Sequence, residues 1–297
     1  MTVADQLSYS KAAQKLHISQ PSLSNAIKNL EHEVGSPLFE RSTRKIELTD
    51  AGSVLYEKSI RLLSQMNILK KEMEEVKLTG RGELVIGMIE SVRQWVPQVI
   101  REYQGRFPSI HIKLFEVLSR KAVVDSLRKY HTHLIITNQC IHEDDIESLP
   151  LYKEKLVLVL HRDHSLSEKE TITFEELARE PFIISMEGFQ TREDILNAFA
   201  LEQVSPNIKF EIERFETALT LVRENLGLAI IPENYLVEPK DVSIVHKTLD
   251  SPALERTVYM MFMKNRYLAP AVQCFLEEIQ RSFAPGQKAT DIIDRYE

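Results

Sequence analysis

A helix, a tight turn, a second helix and a hairpin follow one another between Ser8 and Gly52, and this order constrains the fold more than any other feature. The second helix is indicated by four apolar residues at helical spacing, Leu23, Ile27, Leu30 and Val34. Ser19 supplies a hydroxyl that suits an N-cap, and the proline two positions later fits the first helical turn. The short step from His17 to Gln20 then predicts a helix-turn-helix.

With its apolar stripe turned inward, the second helix presents amide, hydroxyl and ammonium groups on its opposite face. Two short alternating segments then flank a polar turn, which predicts a hairpin with cations at its tip. Cations beside such a helix suit phosphate contacts, which supply affinity, while base edges supply specificity. The predicted DNA-contacting residues are Ser19, Gln20, Pro21, Ser22, Ser24, Asn25 and Lys28 on the helix and Arg41, Arg44 and Lys45 on the hairpin.

A pair of amphipathic helices with a Ser-x-Pro cap also occurs in proteins that never touch nucleic acid, so the helices alone leave both interpretations open. The cationic hairpin favours DNA. The segment SKAAQKLHISQPSLSNAIKNLEHEVGSPLFER, followed by LTDAG, resembles the N-terminal domain of the LysR-type bacterial transcription regulators. This resemblance covers nearly the whole chain and implies a winged helix-turn-helix, a long linker helix that dimerises, and a two-lobed α/β effector domain similar to periplasmic solute-binding proteins. It also implies assembly into a tetramer.

Two departures from the family pattern bear on function. The position of Asn25 is often arginine in relatives, and asparagine favours adenine, whose N6 and N7 it can contact together. Residues 1–5 resemble a point inside the family's first helix, so we interpret Met1 as an internal start or a boundary within a longer protein. A DNA-binding domain with a truncated first helix should be less stable than its relatives.

The charge of the chain predicts that it binds DNA as an oligomer. The net charge is −7, but basic and acidic residues balance over residues 1–52. A neutral DNA-binding domain neutralises few phosphates and should bind weakly as a monomer. A dimerisation helix follows over residues 49–78, where a heptad seam is formed by Leu55, Ser59, Leu62, Met66, Leu69, Met73 and Val76. The alternative is a helix packed on its own domain, although its polar flanks favour a partner.

Beyond a hinge at residues 79–82, strands alternate with helices, which predicts a mostly parallel sheet wrapped by helices. The last strand, Thr257 to Met263, and the helix Pro270 to Phe283 should return to the first lobe, so the chain crosses between two lobes twice. The predicted domains are a DNA-binding domain 1–52, a linker helix 53–80, an effector domain 81–283 and a tail 284–297. Lobe I should comprise residues 81–153 and 257–283, and lobe II residues 154–256.

Ligands of open α/β lobes bind at the C-terminal ends of strands, where helix N-termini offer N–H groups to anions. Hydroxyl groups and arginines follow several predicted strands, which would suit a small carboxylate such as a di- or tricarboxylic acid. Each serine could instead be only a helix cap. The predicted effector-binding residues are Ser91, Ser119, Thr137, Ser185, Thr191, Arg192 and Arg256.

Other classes of function find little support in the sequence. Cys140 and Cys274 have no CxxC partner and are interpreted as reduced packing thiols. Hydrolase, nucleotide-binding and zinc-protease motifs are absent, so we expect neither catalysis nor a metal or other cofactor. With no long apolar run and no leader pattern, the chain is expected to be cytoplasmic. A solute-binding or enzymatic α/β protein without a DNA function is the alternative.

Overall fold

The computed structural model of the protein describes residues 1–41, 46–77, 82–236 and 242–283. The chain divides into two compact units, Met1–Met73 and Glu74–Glu297. Parts of the sequence predictions lie outside the described residues, namely the hairpin cations Arg44 and Lys45, most of the hinge and the tail at 284–297. Among the described residues, no helix has both the length and the apolar character needed to cross a membrane.

The N-terminal unit is a helical domain with a two-stranded hairpin. Its elements are α1 (Thr2–Gln6), α2 (Tyr9–Lys15), α3 (Gln20–Val34), β1 (Phe39–Arg41), β2 (Ile46–Leu48) and the start of α4 (Asp50–Lys77). Ser8 caps α2, and Ser19 caps α3 by accepting a hydrogen bond from the Ser22 N–H at 3.3 Å. At its other end α3 stops at Gly35, whose φ of 75° lies in the left-handed region. The predicted helix-turn-helix and hairpin therefore form, each from local signals.

The core of the N-terminal unit is small. Its buried apolar side chains are Val3, Ala12, Ala13, Leu23, Leu38 and Phe39. The predicted apolar stripe of α3 turns inward only in its first half, because Leu30 and Val34 are 37% and 44% exposed. The seven-residue α2 can cover only part of the 15-residue α3.

An open apolar groove borders this small core. Its volume is about 360 Å³. It is lined by Met1, Thr2, Val3, Leu16, Leu23, Ile27, Ser59, Leu62 and Leu63. The N-terminal unit is therefore incompletely packed on the side where α1 and α3 face α4.

A tight junction joins the hairpin to α3 and α4. The Glu31 Oε1 accepts a hydrogen bond from the Leu38 N–H at 2.9 Å and so holds β1 against α3. The Thr49 hydroxyl donates to the Pro37 carbonyl at 2.7 Å and accepts from the Gly52 N–H at 2.9 Å. A Cβ on Gly52 would lie 2.0 Å from the Leu38 carbonyl oxygen, so only glycine fits there.

The C-terminal unit contains a nine-stranded sheet with helices on its faces. Its strands and helices are β3 (Gly82–Met88), α5 (Val96–Arg106), β4 (Ile110–Glu116), α6 (Arg120–Arg128), β5 (Leu134–Thr137), β6 (Ile146–His161), α7 (Phe174–Leu177), β7 (Pro181–Ser185), α8 (Gln190–Leu201), β8 (Asn207–Ile212), α9 (Phe215–Arg223), β9 (Leu228–Pro232), β10 (Ile244–Lys247), β11 (Glu255–Met263) and α10 (Pro270–Ser282). Short 3₁₀ helices cover Glu90–Gln94, Glu233–Leu236 and Pro252–Leu254.

The sheet is built from two parallel halves joined by antiparallel strands. The strand order is β4-β3-β5-β11-β6-β9-β7-β8, and β10 also pairs with β6. Strands β3, β4 and β5 are parallel in lobe I, and β7, β8 and β9 are parallel in lobe II. The first part of β6 pairs with β11, and its later part pairs with β9 and β10. The predicted two-lobed α/β effector domain is therefore confirmed, with β6 shared by both lobes.

Each lobe has its own apolar core. In lobe I the strands pack against α5 and α10 around fully buried side chains such as Leu84 and Phe275. In lobe II a corresponding core surrounds Phe182 and Phe199. Val258 and Met260 of β11 belong to the lobe I core, so the last strand and helix return to lobe I as expected.

Candidate DNA-binding and effector sites

The polar face of α3 is open to solvent at its N-terminal end. Asn25 and Lys28 are exposed, and Ser24 is half-buried. The Ser19 and Ser22 hydroxyls lie 2.8 Å apart, and the Gln20 Nε2 donates to the Ser24 Oγ at 3.3 Å. The hydroxyl groups at the start of the helix are therefore hydrogen-bonded to one another or to Gln20, whereas Asn25 and Lys28 are not part of these hydrogen bonds.

The remaining DNA-contacting predictions concern the hairpin. Its strands pair antiparallel, with Phe39 opposite Leu48 and Arg41 opposite Ile46. The backbone of Arg41 ends β1, whereas its side chain lies outside what the structure describes, as do Arg44 and Lys45. The hairpin thus occupies the place predicted for a wing beside α3.

A small cleft lies between the lobes of the C-terminal unit. Its volume is about 30 Å³, which is about the space that one water molecule occupies in the liquid. The residues that line it are Ile89, Glu90, Ser91, Leu118 and Asn138 from lobe I, Ser185, Phe189, Gln190, Thr191, Glu213 and Phe215 from lobe II, and Arg256 from the crossing strand β11. The lobes therefore close on each other around a polar centre.

Arg256 and Glu154 form a buried ion pair where β6 and β11 pass between the lobes. The Arg256 Nε and Nη2 donate to the Glu154 Oε1 at 2.8 and 2.7 Å. The Glu154 carboxylate also accepts from the Ser91 hydroxyl of lobe I and the Asn234 amide of lobe II, at 3.2 and 3.4 Å. Because this carboxylate is fully buried, loss of Arg256 would leave it without its cation.

The same guanidinium reaches α8. The Arg256 Nη1 donates to the Thr191 hydroxyl at 2.7 Å and lies 3.6 Å from the Asp194 carboxylate. Burial raises the pKa of Asp194, against the hydrogen bond from Gln190 and the charge of Arg256. Arg256 is thus shared between acidic groups and still borders the cleft.

The structure brings some of the predicted effector-binding residues to the cleft and leaves others away from it. Ser91, Ser185, Thr191 and Arg256 line the cavity. All four are buried: Ser91 follows β3, Ser185 ends β7, Thr191 lies in the first turn of α8, and Arg256 lies at the start of β11. The fold therefore brings these four residues to one cavity, and their role in binding an effector stays a prediction.

Three other predicted residues do not line the cavity. The Ser119 hydroxyl caps α6 by accepting from the Ala122 N–H at 3.3 Å. Thr137 is fully buried, and its hydroxyl accepts from the Gln139 N–H at 3.2 Å. Arg192 folds back from α8, where it donates to the Ser185 carbonyl at 2.8 Å and pairs with Glu211. Their polar groups are used within the fold, so the structure does not bring Ser119, Thr137 and Arg192 to the cavity with the other predicted effector-binding residues.

Sequence reasoning missed four polar residues that line the cleft: Glu90, Asn138, Gln190 and Glu213. Asn138 directly follows β5, and Glu213 directly follows β8. The rule that ligands bind at the C-terminal ends of parallel strands could have identified them, because it depends on position rather than on residue type.

Two of the cleft residues have polar groups free for a ligand. Asn138 of lobe I is 8% exposed, and Ser185 of lobe II is 5% exposed. Within the described parts of the chain, neither side chain makes a hydrogen bond, although both residues line the cavity. Both residues border the cavity, so their polar groups are available to a ligand or to ordered water.

Two family models match the chain, one over the N-terminal part and one over the C-terminal part. Residues 1–53 match the bacterial regulatory helix-turn-helix protein of the lysR family, and residues 79–284 match the LysR substrate binding domain. The second match alone covers more than half of the chain. The protein belongs to the LysR family of transcription regulators.

Individual relatives agree with this membership. The chain is 28% identical over 285 residues to the uncharacterised HTH-type transcriptional regulator YybE of Bacillus subtilis (strain 168), which covers 95% of this chain and 96% of the relative. The regulatory domain of CcmR from Synechocystis PCC6803, in complex with 2-PG, superposes with a TM-score of 0.64 at 21% identity, over 69% of this chain and 99% of that domain. Full-length CbnR complexed with target DNA gives a TM-score of 0.58 at 22% identity, over 95% and 96% of the two chains. The two structural matches show a shared fold.

Proposed function

We propose that this protein is a ligand-responsive DNA-binding transcription regulator, acting in the cytoplasm as a dimer or tetramer, whose effector is a small acid bound between the two lobes. The observation that carries the proposal is the interlobe cleft, which Asn138 and Ser185 line with side chains that make no hydrogen bond within the described residues. The same chain carries a helix-turn-helix with an exposed polar face, through which the regulator would bind DNA.

DNA recognition is assigned to the exposed face of α3. We assign Asn25, which is exposed on α3, to a base edge in the major groove and the exposed Lys28 to a phosphate. The sequence prediction that the hairpin cations also contact phosphates is part of the proposal. CbnR, which has the same fold, is complexed with its target DNA in its own structure. This arrangement gives one DNA-contacting helix per chain.

Pairing through α4 would supply the second DNA-contacting helix. The helix exposes a row of large apolar side chains, each about half exposed or more: Leu62, Leu63, Met66, Leu69 and Met73. Four of them belong to the predicted heptad seam. An apolar row of this kind is typical of a protein interface, and a dimer would place two α3 helices on a two-fold DNA site.

The effector is assigned to the cleft. A small acid would receive hydrogen bonds from Ser185 and Asn138 and lie beside the first turn of α8 and the Arg256 guanidinium. Because the cleft has room for about one water molecule, binding requires the lobes to separate or rotate. An effector that prefers one lobe arrangement shifts the population towards it and thereby changes promoter binding. No metal takes part in this proposal, and the described residues contain no group of three or more His, Cys, Asp or Glu suited to one.

A mobility-shift assay with promoter fragments tests this function. We expect a discrete complex with a dyad-symmetric fragment, and a change in that complex when one of a panel of organic acids is added. Ser185→Ala should remove the response to the acid and keep the complex, whereas Asn25→Ala should alter base preference. The matched control for Asn25 is Asn197→Ala, which changes an exposed asparagine of α8 and should leave DNA binding unchanged. A folded protein that forms no discrete complex with any fragment would contradict the proposal.

A further inference from the structure

The two long helices of lobe II that begin at the cleft differ in what occupies their N-terminal ends. The N-cap residues of α8 and α9 are Phe189 and Arg214, and neither provides a side-chain cap. Exposed N–H groups at such ends attract negative charge. The two ends would therefore compete for any anion in the cleft unless one of them is already occupied.

The end of α9 is occupied by a carboxylate from lobe I. The Glu90 Oε2 accepts a hydrogen bond from the Phe215 N–H at 3.3 Å, and Glu90 is only 7% exposed. Burial raises the pKa of Glu90, although this hydrogen bond and the charges of Arg214 and Arg93 oppose the shift. Those arginines are also engaged elsewhere, since Arg93 lies over the Tyr235 ring and Arg214 pairs with Glu116.

A second carboxylate lines the same end of the cleft. Glu213 directly precedes the N-cap of α9 and is exposed. Neither Glu90 nor Glu213 lies within ion-pair distance of a cation in the described structure. This end of the cleft therefore repels a ligand carboxylate and accepts hydrogen bonds from a ligand donor.

The end of α8 presents the opposite character. Among the described residues, the backbone N–H group of Thr191 has no acceptor, and Ser185, whose hydroxyl makes no hydrogen bond, lines the same cavity. Arg256 lines the cavity here, while its acidic partners Glu154 and Asp194 do not. The buried Ser185 is thus a second feature, besides the helix end, that indicates a ligand at α8.

We infer that Glu90 and Glu213 make the α9 end of the cleft more negative than the α8 end. The effector is then a monoacid whose carboxylate lies at α8 and whose hydroxyl or ammonium group faces α9. This inference rests on the proposed function and replaces the di- or tricarboxylic acid expected from the sequence. Glu90 is then the residue that excludes dicarboxylates, because a second carboxylate would lie beside its own.

A four-carbon series that differs only at the far end tests the inference. The probes are butyrate, 4-hydroxybutyrate, 4-aminobutyrate and succinate, titrated calorimetrically into the full-length protein. We expect 4-hydroxybutyrate and 4-aminobutyrate to bind about tenfold or more tightly than succinate, which corresponds to about 1.4 kcal/mol or more. Glu90→Gln keeps the size of the side chain and an acceptor for the Phe215 N–H, and it should selectively improve succinate binding.

The matched control is Glu224→Gln, which removes a carboxylate at the opposite end of α9, where the side chain is exposed. It should leave the order of the four affinities unchanged. Succinate binding as tightly as 4-hydroxybutyrate, or an order that Glu90→Gln does not change, would overturn the role of Glu90 and leave the cleft site standing. Binding of none of the four would overturn the ligand class, whereas the mobility-shift assay decides separately whether the protein is a regulator.

Discussion

The N-terminal and C-terminal units differ in how much apolar surface they bury. The N-terminal unit has a small core, an open apolar groove and a row of exposed apolar side chains along α4. The C-terminal unit packs several cores around one sheet, including fully buried aromatic side chains such as Phe275 and Phe199. The C-terminal unit therefore has enough buried apolar surface to be stable by itself, whereas the stability of the N-terminal unit depends on close backbone junctions and on apolar surfaces that a partner can cover.

Gly52→Ala should lower the free energy of unfolding most, because it disturbs the junction between the hairpin and α4. The added Cβ would lie 2.0 Å from the Leu38 carbonyl oxygen, so backbone must move, at a cost of about 4 kcal/mol or more. The N-terminal unit should unfold at a lower temperature and operator binding should be lost, while the melting of the C-terminal unit is unchanged. Calorimetry of the full chain separates the two transitions, and a normal operator complex would refute the expectation.

Two leucine-to-alanine substitutions, one in each unit, should have effects of intermediate size. Leu84→Ala removes a fully buried side chain from the lobe I core, and Leu23→Ala removes one that borders the open groove. The first should cost about 4 kcal/mol and the second about 2 kcal/mol, because a site beside a groove relaxes more easily. Denaturant unfolding measures both costs. Equal losses would show that the two cores are packed alike.

The smallest effect concerns pH and the C-terminal unit. Burial raises the pKa of Glu90 in the folded protein, so Glu90 contributes most to stability below its unfolded pKa. That contribution is lost as pH rises through the folded pKa. The stability of the wild type relative to Glu90→Gln should therefore decline from acid towards neutral pH, as thermal melts across this range can measure. A constant difference between the two proteins would contradict this sign.

Local signals in the sequence predicted much of the fold. The Ser19 cap, the proline after it and the hairpin alternation each identify a feature that neighbouring residues determine. The crossing strand β11 was predicted as well, because its apolar pattern and position follow the second lobe. Periodicity did not show that Leu30 and Val34 are exposed, since an apolar stripe does not reveal whether a neighbouring element is long enough to cover it.

The cleft was harder to predict than the fold. Arg192 and Arg256 were equally plausible partners for an acid, yet Arg192 turns back to Glu211 and Arg256 lines the cavity. The difference depends on side-chain direction and on which strands cross between the lobes, which are tertiary properties. Glu90 and Asn138 were missed because hydroxyls and cations were favoured over other polar groups at strand ends.

The sharing of β6 between the lobes limits how the protein can move. Along its 16 residues, β6 is hydrogen-bonded first to β11 and then to β9 and β10. The pairing with β11 ends at Lys155 and the pairing with β9 begins at Leu156, so a rotation of one lobe against the other at this point leaves both ladders intact. An effector signal in this domain is therefore expected to consist of a rotation centred on one short stretch of β6.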